Sequence, residues 1–205
     1  MIEKSLKEYI EADVIPRYDS FDRGHDRGHV EMVIEQSLQL ARQLDVREDM
    51  AYVIAAYHDT GLCEGRERHH EVSARILRAD SRLRQWFTES EIATMADAAE
   101  DHRASSGHAP RTIYGRIVAE ADRFIDPETI IRRTVLYGIE HYPALSREEH
   151  YRRMVAHLHE KYGPSGYLRL WFPDSPNAAR LERLRQMMSD AELLRSLFNR
   201  FYENE

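Results

Sequence analysis

From Ala51 to Tyr57 the chain reads Ala-Tyr-Val-Ile-Ala-Ala-Tyr, with no charged side chain on any helical face, and His58 and Asp59 follow directly. A helix that is apolar all round must be covered on every side, so this run belongs at the centre of a fold and not on its surface. Its C-terminal end then delivers an imidazole and a carboxylate into the interior. An unpartnered carboxylate there forfeits on the order of several kcal/mol of solvation. Two arrangements could compensate it: His58 donating to a backbone carbonyl while Asp59 caps the next turn, or the pair serving as the centre of a metal site. The rest of the chain favours the second.

Apolar residues elsewhere recur at three and four, the period of core-facing helices. Leu6, Tyr9, Ile10 and Val14 predict a short helix from Ile2 to about Asp13, stopped near Pro16. The stretch from Tyr18 to His29 is polar and rich in turn formers and reads as a loop. Val33, Ile34, Leu38, Ala41 and Leu44 then mark a helix with His29 in its first turn, pointing inward, and His25 at the mouth. The central helix runs from about Arg47 to His58 and is closed by Gly61. A further helix starts near His69, with His69, Val72 or Ser73, Ile76 and Leu77 inward. Thr88 and Glu91 form a capping box before Ile92, Met95, Ala99 and His102, which share one face. In the helix from Arg111, Tyr114, Val118 and Asp122 are spaced by four beside Ile113, Ile117, Ala121 and Ile125, which puts Asp122 on or next to a buried stripe. A second capping box, Ser146 with Glu149, opens a helix to about Tyr162. Ser175-Pro176 begins a C-terminal helix that includes Leu181, Leu184 and Leu194. No period-two pattern and no internal repeat is present. The predicted fold class is all-α, one domain over residues 1–205 with a core at about 17–125 and a helical C-terminal extension at about 126–205.

A hydrophobic fraction of 42% and a charged fraction of 32% fit a folded, soluble chain. Nothing approaches the roughly 18 apolar residues of a membrane span, and the N-terminus has no signal-peptide character. With a single cysteine, Cys63, no internal disulfide framework exists. The expectation is a cytoplasmic protein without membrane attachment. A net charge of −7 argues against duplex nucleic acid as a partner, since that affinity comes from cations set against phosphates.

His29, His58, Asp59 and Asp122 each fall at a helix end or on an inward face, and a helical bundle could bring them together. Two imidazoles and two carboxylates suit manganese, iron, nickel, zinc or magnesium. This H…HD…D order, with His25-Asp26-Arg27-Gly28-His29-Val30, Ala55-Ala56-Tyr57-His58-Asp59-Thr60-Gly61 and Ala119-Glu120-Ala121-Asp122-Arg123 around it, resembles the HD-domain superfamily of metal-dependent phosphohydrolases. The resemblance covers roughly Arg17 to Ile125. It implies an HD-like helical bundle holding one or two divalent metal ions. Two-metal members carry two further histidines, matched here by His69, four before Ser73, with His70 as competitor, and by His102; Asp59 would then bridge two ions. It also implies hydrolysis of a phosphate ester or anhydride of a nucleotide or small phosphorylated metabolite by a metal-activated water, with Asp59, His102 and Arg103 as the catalytic group. Arg27, His25, Arg103 and Arg123 are candidates for phosphate contact, and Asp101, Glu100 or His70 for proton transfer. A homodimer is left open. Two other readings share the motif: a di-iron oxygenase, marked by mixed-valent iron and oxygen consumption, and a regulatory module that binds a nucleotide without cleaving it.

Overall fold

Every regular element of the structure is helical, as the period of the apolar residues predicts. The computed structural model describes residues 2–22, 24–104 and 107–203, and the chain divides into two units, Met1–Arg123 and Phe124–Glu205. Among the described residues no strand occurs, and none of the helices is long and apolar enough to cross a membrane.

The first unit opens with α1 (Lys4–Tyr9), which continues as a π turn over Ile10–Val14 and a 3-10 turn over Ile15–Ser20. Pro16 does not stop the chain as expected. Lacking an N–H, it breaks the regular ladder, which loosens ahead of it and tightens after it. The altered winding carries Tyr18, predicted to lie in a loop, to complete burial. Next comes α2 (Arg27–Gln43), capped by Asp26, whose carboxylate accepts the His29 amide at 3.0 Å. Its buried face is Val30, Val33, Ser37, Leu40 and Ala41; Leu44, expected on that face, is the C-cap and is exposed.

The central element is α3 (Glu48–Tyr57), in which every residue from Met50 to Tyr57 is buried. Full burial of a side chain such as Val53 or Ile54 contributes about 1.5–3 kcal/mol, so this helix anchors the core. Gly61 does not close it. The helix ends at Tyr57, and Gly61 lies inside a 3-10 turn over Thr60–Glu64 without a positive φ. The reason for glycine there is close approach: an added Cβ would collide with the His69 carbonyl and lie 2.6 Å from the Ser73 nitrogen. That contact seats the turn on α4 (His69–Ala79), whose buried face is Ser73, Ala74 and Leu77, with Ile76 only partly buried.

Thr88 and Glu91 form the expected capping box at α5 (Glu89–Glu100), an arrangement worth about 1 kcal/mol. α6 (Ile113–Ala121) starts two residues later than predicted, because Thr112 is its cap and accepts the Gly115 amide. One hydrophobic core joins these helices, from Leu6 through α3 to Ala121.

The second unit holds α7 (Pro127–His141), α8 (Arg147–Tyr162), α9 (Pro176–Ser189) and α10 (Ala191–Glu203). α7 was not among the predicted helices, although Asp126 before Pro127 is a start signal and does accept the Thr129 amide at 2.8 Å. Ser146 and Glu149 cap α8 as predicted. The single C-terminal helix proves to be two: Asp190 is extended, and its side chain accepts the Leu193 amide to start α10.

Candidate metal centre

Five helix ends converge in the first unit. α2 and α4 bring their first turns, with His29 and His69. α3, α5 and α6 bring their C-termini, with His58 and Asp59, His102, and Asp122. A carboxylate is disfavoured at a helix C-terminus, where the backbone already carries partial negative charge, and two occur here together. Those same ends favour a cation.

Asp59 sits at the middle. Its Oδ2 lies 3.3 Å from His58 Nε2 and 3.7 Å from His29 Nε2, while its Oδ1 lies 3.4 Å from both His69 Nε2 and His102 Nε2. Each oxygen therefore faces its own pair of imidazoles. Asp122 Oδ1 completes the first side, 3.2 Å from His29 Nε2 and 3.7 Å from His58 Nε2. The ligand atoms of His29, His58 and Asp59 all lie within 4.8 Å of one another, as do those of Asp59, His69 and His102. Donors bonded to a common ion at about 2.1 Å lie at most about 4.2 Å apart, so both groups are close to that limit.

The tautomers follow from the backbone. His58 Nδ1 is 2.7 Å from the Ala55 carbonyl, His69 Nδ1 2.8 Å from that of Arg66, and His102 Nδ1 2.6 Å from that of Ala99. A carbonyl only accepts, so each Nδ1 carries a proton and each ring turns its Nε2 inward. Even so, His69 and His102 hold their Nε2 atoms 3.1 Å apart, and His29 and His58 theirs 3.3 Å apart. Lone pairs converging on both oxygens of a carboxylate form a donor set that fits cations.

Burial opposes charge on His29 and His58, but the Asp122 hydrogen bond and charge on His29, and the Asp59 charge on His58, outweigh it and raise both pKa values. Burial works to raise the carboxylates too, yet the surrounding imidazoles hold Asp59 well below the usual range and Asp122 at about 2. His69 moves the other way, down to about 4, through burial and the neighbouring His102. One side of the cluster thus attracts positive charge strongly, and the other keeps a free nitrogen.

His69 rather than His70 reaches the cluster; the nearest carboxylate to His70 is Glu71, at 4.0 Å. His70 Nδ1 is buried without a hydrogen-bond partner, and burial depresses its pKa. Most of the other candidates already have partners in the first unit. Arg27 makes two hydrogen bonds to Asp19, at 3.1 and 3.0 Å. Asp101 accepts the Arg111 amide at 2.7 Å and its guanidinium at 3.0 Å, and Glu100 also binds Arg111, so both acids fasten the approach to α6. Arg103 donates to the Glu67 carbonyl, and Arg123 is buried with Nε and Nη1 lacking a hydrogen-bond partner. His25 lies beside His29, ring centroids 5.8 Å apart, and is held by Asp22 at 2.9 Å. Cys63 is exposed.

The sequence reading missed three residues that shape this site. Ser73 Oγ accepts the Gly61 amide at 2.9 Å. Arg66 supplies the carbonyl under His69 and reaches Asp22 with its guanidinium at 3.2 Å. Tyr18 binds the Ala56 carbonyl ahead of the His-Asp pair and the amide of Asp59 within it. No local pattern marks Arg66 or Tyr18; Ser73 was weighed only as a core position.

Residues 27–125, just under half of the chain, match the family model of the HD domain. Over these residues the chain is similar to the HD domain. The HD domain implies a superfamily of metal-dependent phosphohydrolases, and the His/Asp groups around Asp59 could hold a metal ion. No curated protein and no solved structure matches the chain.

Proposed function

We propose that the HD domain binds two divalent cations on the two sides of Asp59 and hydrolyses a phosphate ester or anhydride of a nucleotide or another small phosphorylated metabolite. His29, His58 and Asp122 would hold one cation and His69 and His102 the other, with one oxygen of Asp59 facing each. The observation that carries this reading is the convergence of four imidazole Nε2 atoms on the two oxygens of one buried carboxylate. Cations held here supply Lewis-acid polarisation of a phosphoryl oxygen and depress the pKa of a bound water. The chain's residues supply the rest. Backbone carbonyls fix the ligating rings, so little reorganisation is needed on loading. His70, beside the His69/His102 side with a pKa depressed by burial, is held as the neutral imidazole and is suited to accept a proton. Arg103 and His25 stand next to ligands and offer donors for phosphate oxygens.

Elemental analysis of the purified protein, followed by phosphate release from nucleotides and sugar phosphates with manganese, iron, nickel, zinc or magnesium, tests the proposal. Metal-dependent release is expected, and it should vanish in His58→Ala and Asp59→Ala while far-UV circular dichroism is retained. Metal loading without turnover of any phosphate, or oxygen consumption by the iron-loaded protein, would replace the hydrolase reading with a binding module or an oxygenase.

A further inference from the structure

Tyr18 lies outside the matched segment, yet its side chain is fully buried against the HD pair, its ring centroid 6.3 Å from that of His58. Its hydroxyl donates to the Ala56 carbonyl at 3.0 Å and accepts the Asp59 amide at 3.2 Å. In a continuing helix the Asp59 amide would bond the Ala55 carbonyl. With the phenol inserted, the ladder stops: His58 keeps helical dihedrals, while Asp59 moves to φ −110°, ψ 5°. The Ala55 carbonyl is left for the His58 imidazole, which takes it at 2.7 Å.

We propose that Tyr18 is a positioning residue for the metal centre. Spliced into the last turn of α3, it turns the Asp59 carboxylate to face both sides of the cluster and frees the carbonyl that fixes the His58 tautomer. Phenylalanine would fill the same space but leave the Asp59 amide free to return to Ala55, in competition with His58 Nδ1. The inference rests on the two-cation reading above.

The test compares full-length Tyr18→Phe with the unmodified protein and with Tyr52→Phe, which removes a hydroxyl from a buried tyrosine within α3 itself. Manganese affinity and stoichiometry are measured by calorimetry, exchange of the Asp59 amide by NMR on metal-free protein, and the His58 tautomer from its imidazole nitrogen shifts. The expected result for Tyr18→Phe is retained helical content, a loss of metal affinity of about 10-fold or more, as for other residues that orient ligands, and a mixed His58 tautomer. Tyr52→Phe should bind as the unmodified protein does. Should Tyr18→Phe fail to fold, the unmodified protein still decides: an Asp59 amide exchanging as fast as exposed loop amides, or a His58 protonated on Nε2, overturns the role. Unchanged affinity and tautomer in Tyr18→Phe, or an equal loss in Tyr52→Phe, also overturns it. Failure of the unmodified protein to bind any metal sinks the underlying reading instead.

Discussion

Replacing Gly61 by alanine should separate the two sides of the cluster. The new Cβ would lie 2.6 Å from the Ser73 nitrogen and 2.9 Å from Ser73 Oγ, and would collide with the His69 carbonyl; ordinary contact begins at 3.4 Å. Relief at Ser73 alone requires the first turns of α4 to retreat by about 0.8 Å, several times the roughly 0.2 Å that a metal–ligand bond tolerates. The atoms struck are backbone, so no side-chain rotation avoids the movement. Overpacking of this kind costs about 1–3 kcal/mol, and the strained Gly61–Ser73 hydrogen bond adds about 1 kcal/mol. His29, His58 and Asp122 are held by α2, α3 and α6, which the clash does not touch. The variant should therefore fold with a lower melting temperature and bind one manganese per chain where two are expected for the parent, the affinity of the lost site falling by about 10-fold to 100-fold. Calorimetric titration with elemental analysis reads the stoichiometry. Two ions bound with parental affinity would refute the claim that close packing of Gly61 on α4 sets the position of His69.

Further predictions address the ligands, the pH response and the core. His69→Ala should abolish one metal site, whereas His70→Ala should leave metal content intact and alter the pH profile of turnover; the reverse pattern in metal analysis would exchange their roles. His29 and His58 have folded pKa values above the unfolded value near 6.5, so the stability they give the metal-free protein is complete below about pH 6.5 and lost as pH rises through the folded values. Asp59 and Asp122 have depressed values, and their contribution is present above about pH 4 and lost as pH falls toward the folded values. Since metal binding requires deprotonated ligands, the melting-temperature gap between loaded and metal-free protein should widen from about pH 6 to about pH 8.5; a constant gap would contradict the assignment of His29 and His58 as ligands. Asp80 accepts hydrogen bonds from both Tyr9 and Tyr57. Asp80→Ala should therefore destabilise the first unit by about 2–4 kcal/mol in urea unfolding, and a change under about 0.5 kcal/mol would show that the two hydroxyls find other partners.

The helical class, the central place of α3, both capping boxes and the order of the donor residues are local properties, and the sequence carried them. Apolar spacing, cap residues and a His-Asp pair at the end of a buried run can each be read within a dozen residues. What it misjudged came from neighbours far away in the chain. Gly61 looked like a helix terminator, but the backbone of α4 is what demands a glycine. Tyr18 looked like loop until Pro16 shifted the winding and α3 supplied the two groups its hydroxyl binds. The choice between His69 and His70 was likewise undecidable from spacing, because both open the same helix and only the positions of Asp59 and His102 separate them. A sequence specifies which chemical groups exist and which way a helix face points, through interactions a few residues long. Which of those groups meet, at distances set to tenths of an ångström, is determined by packing between helices, and that is a property of the folded chain alone.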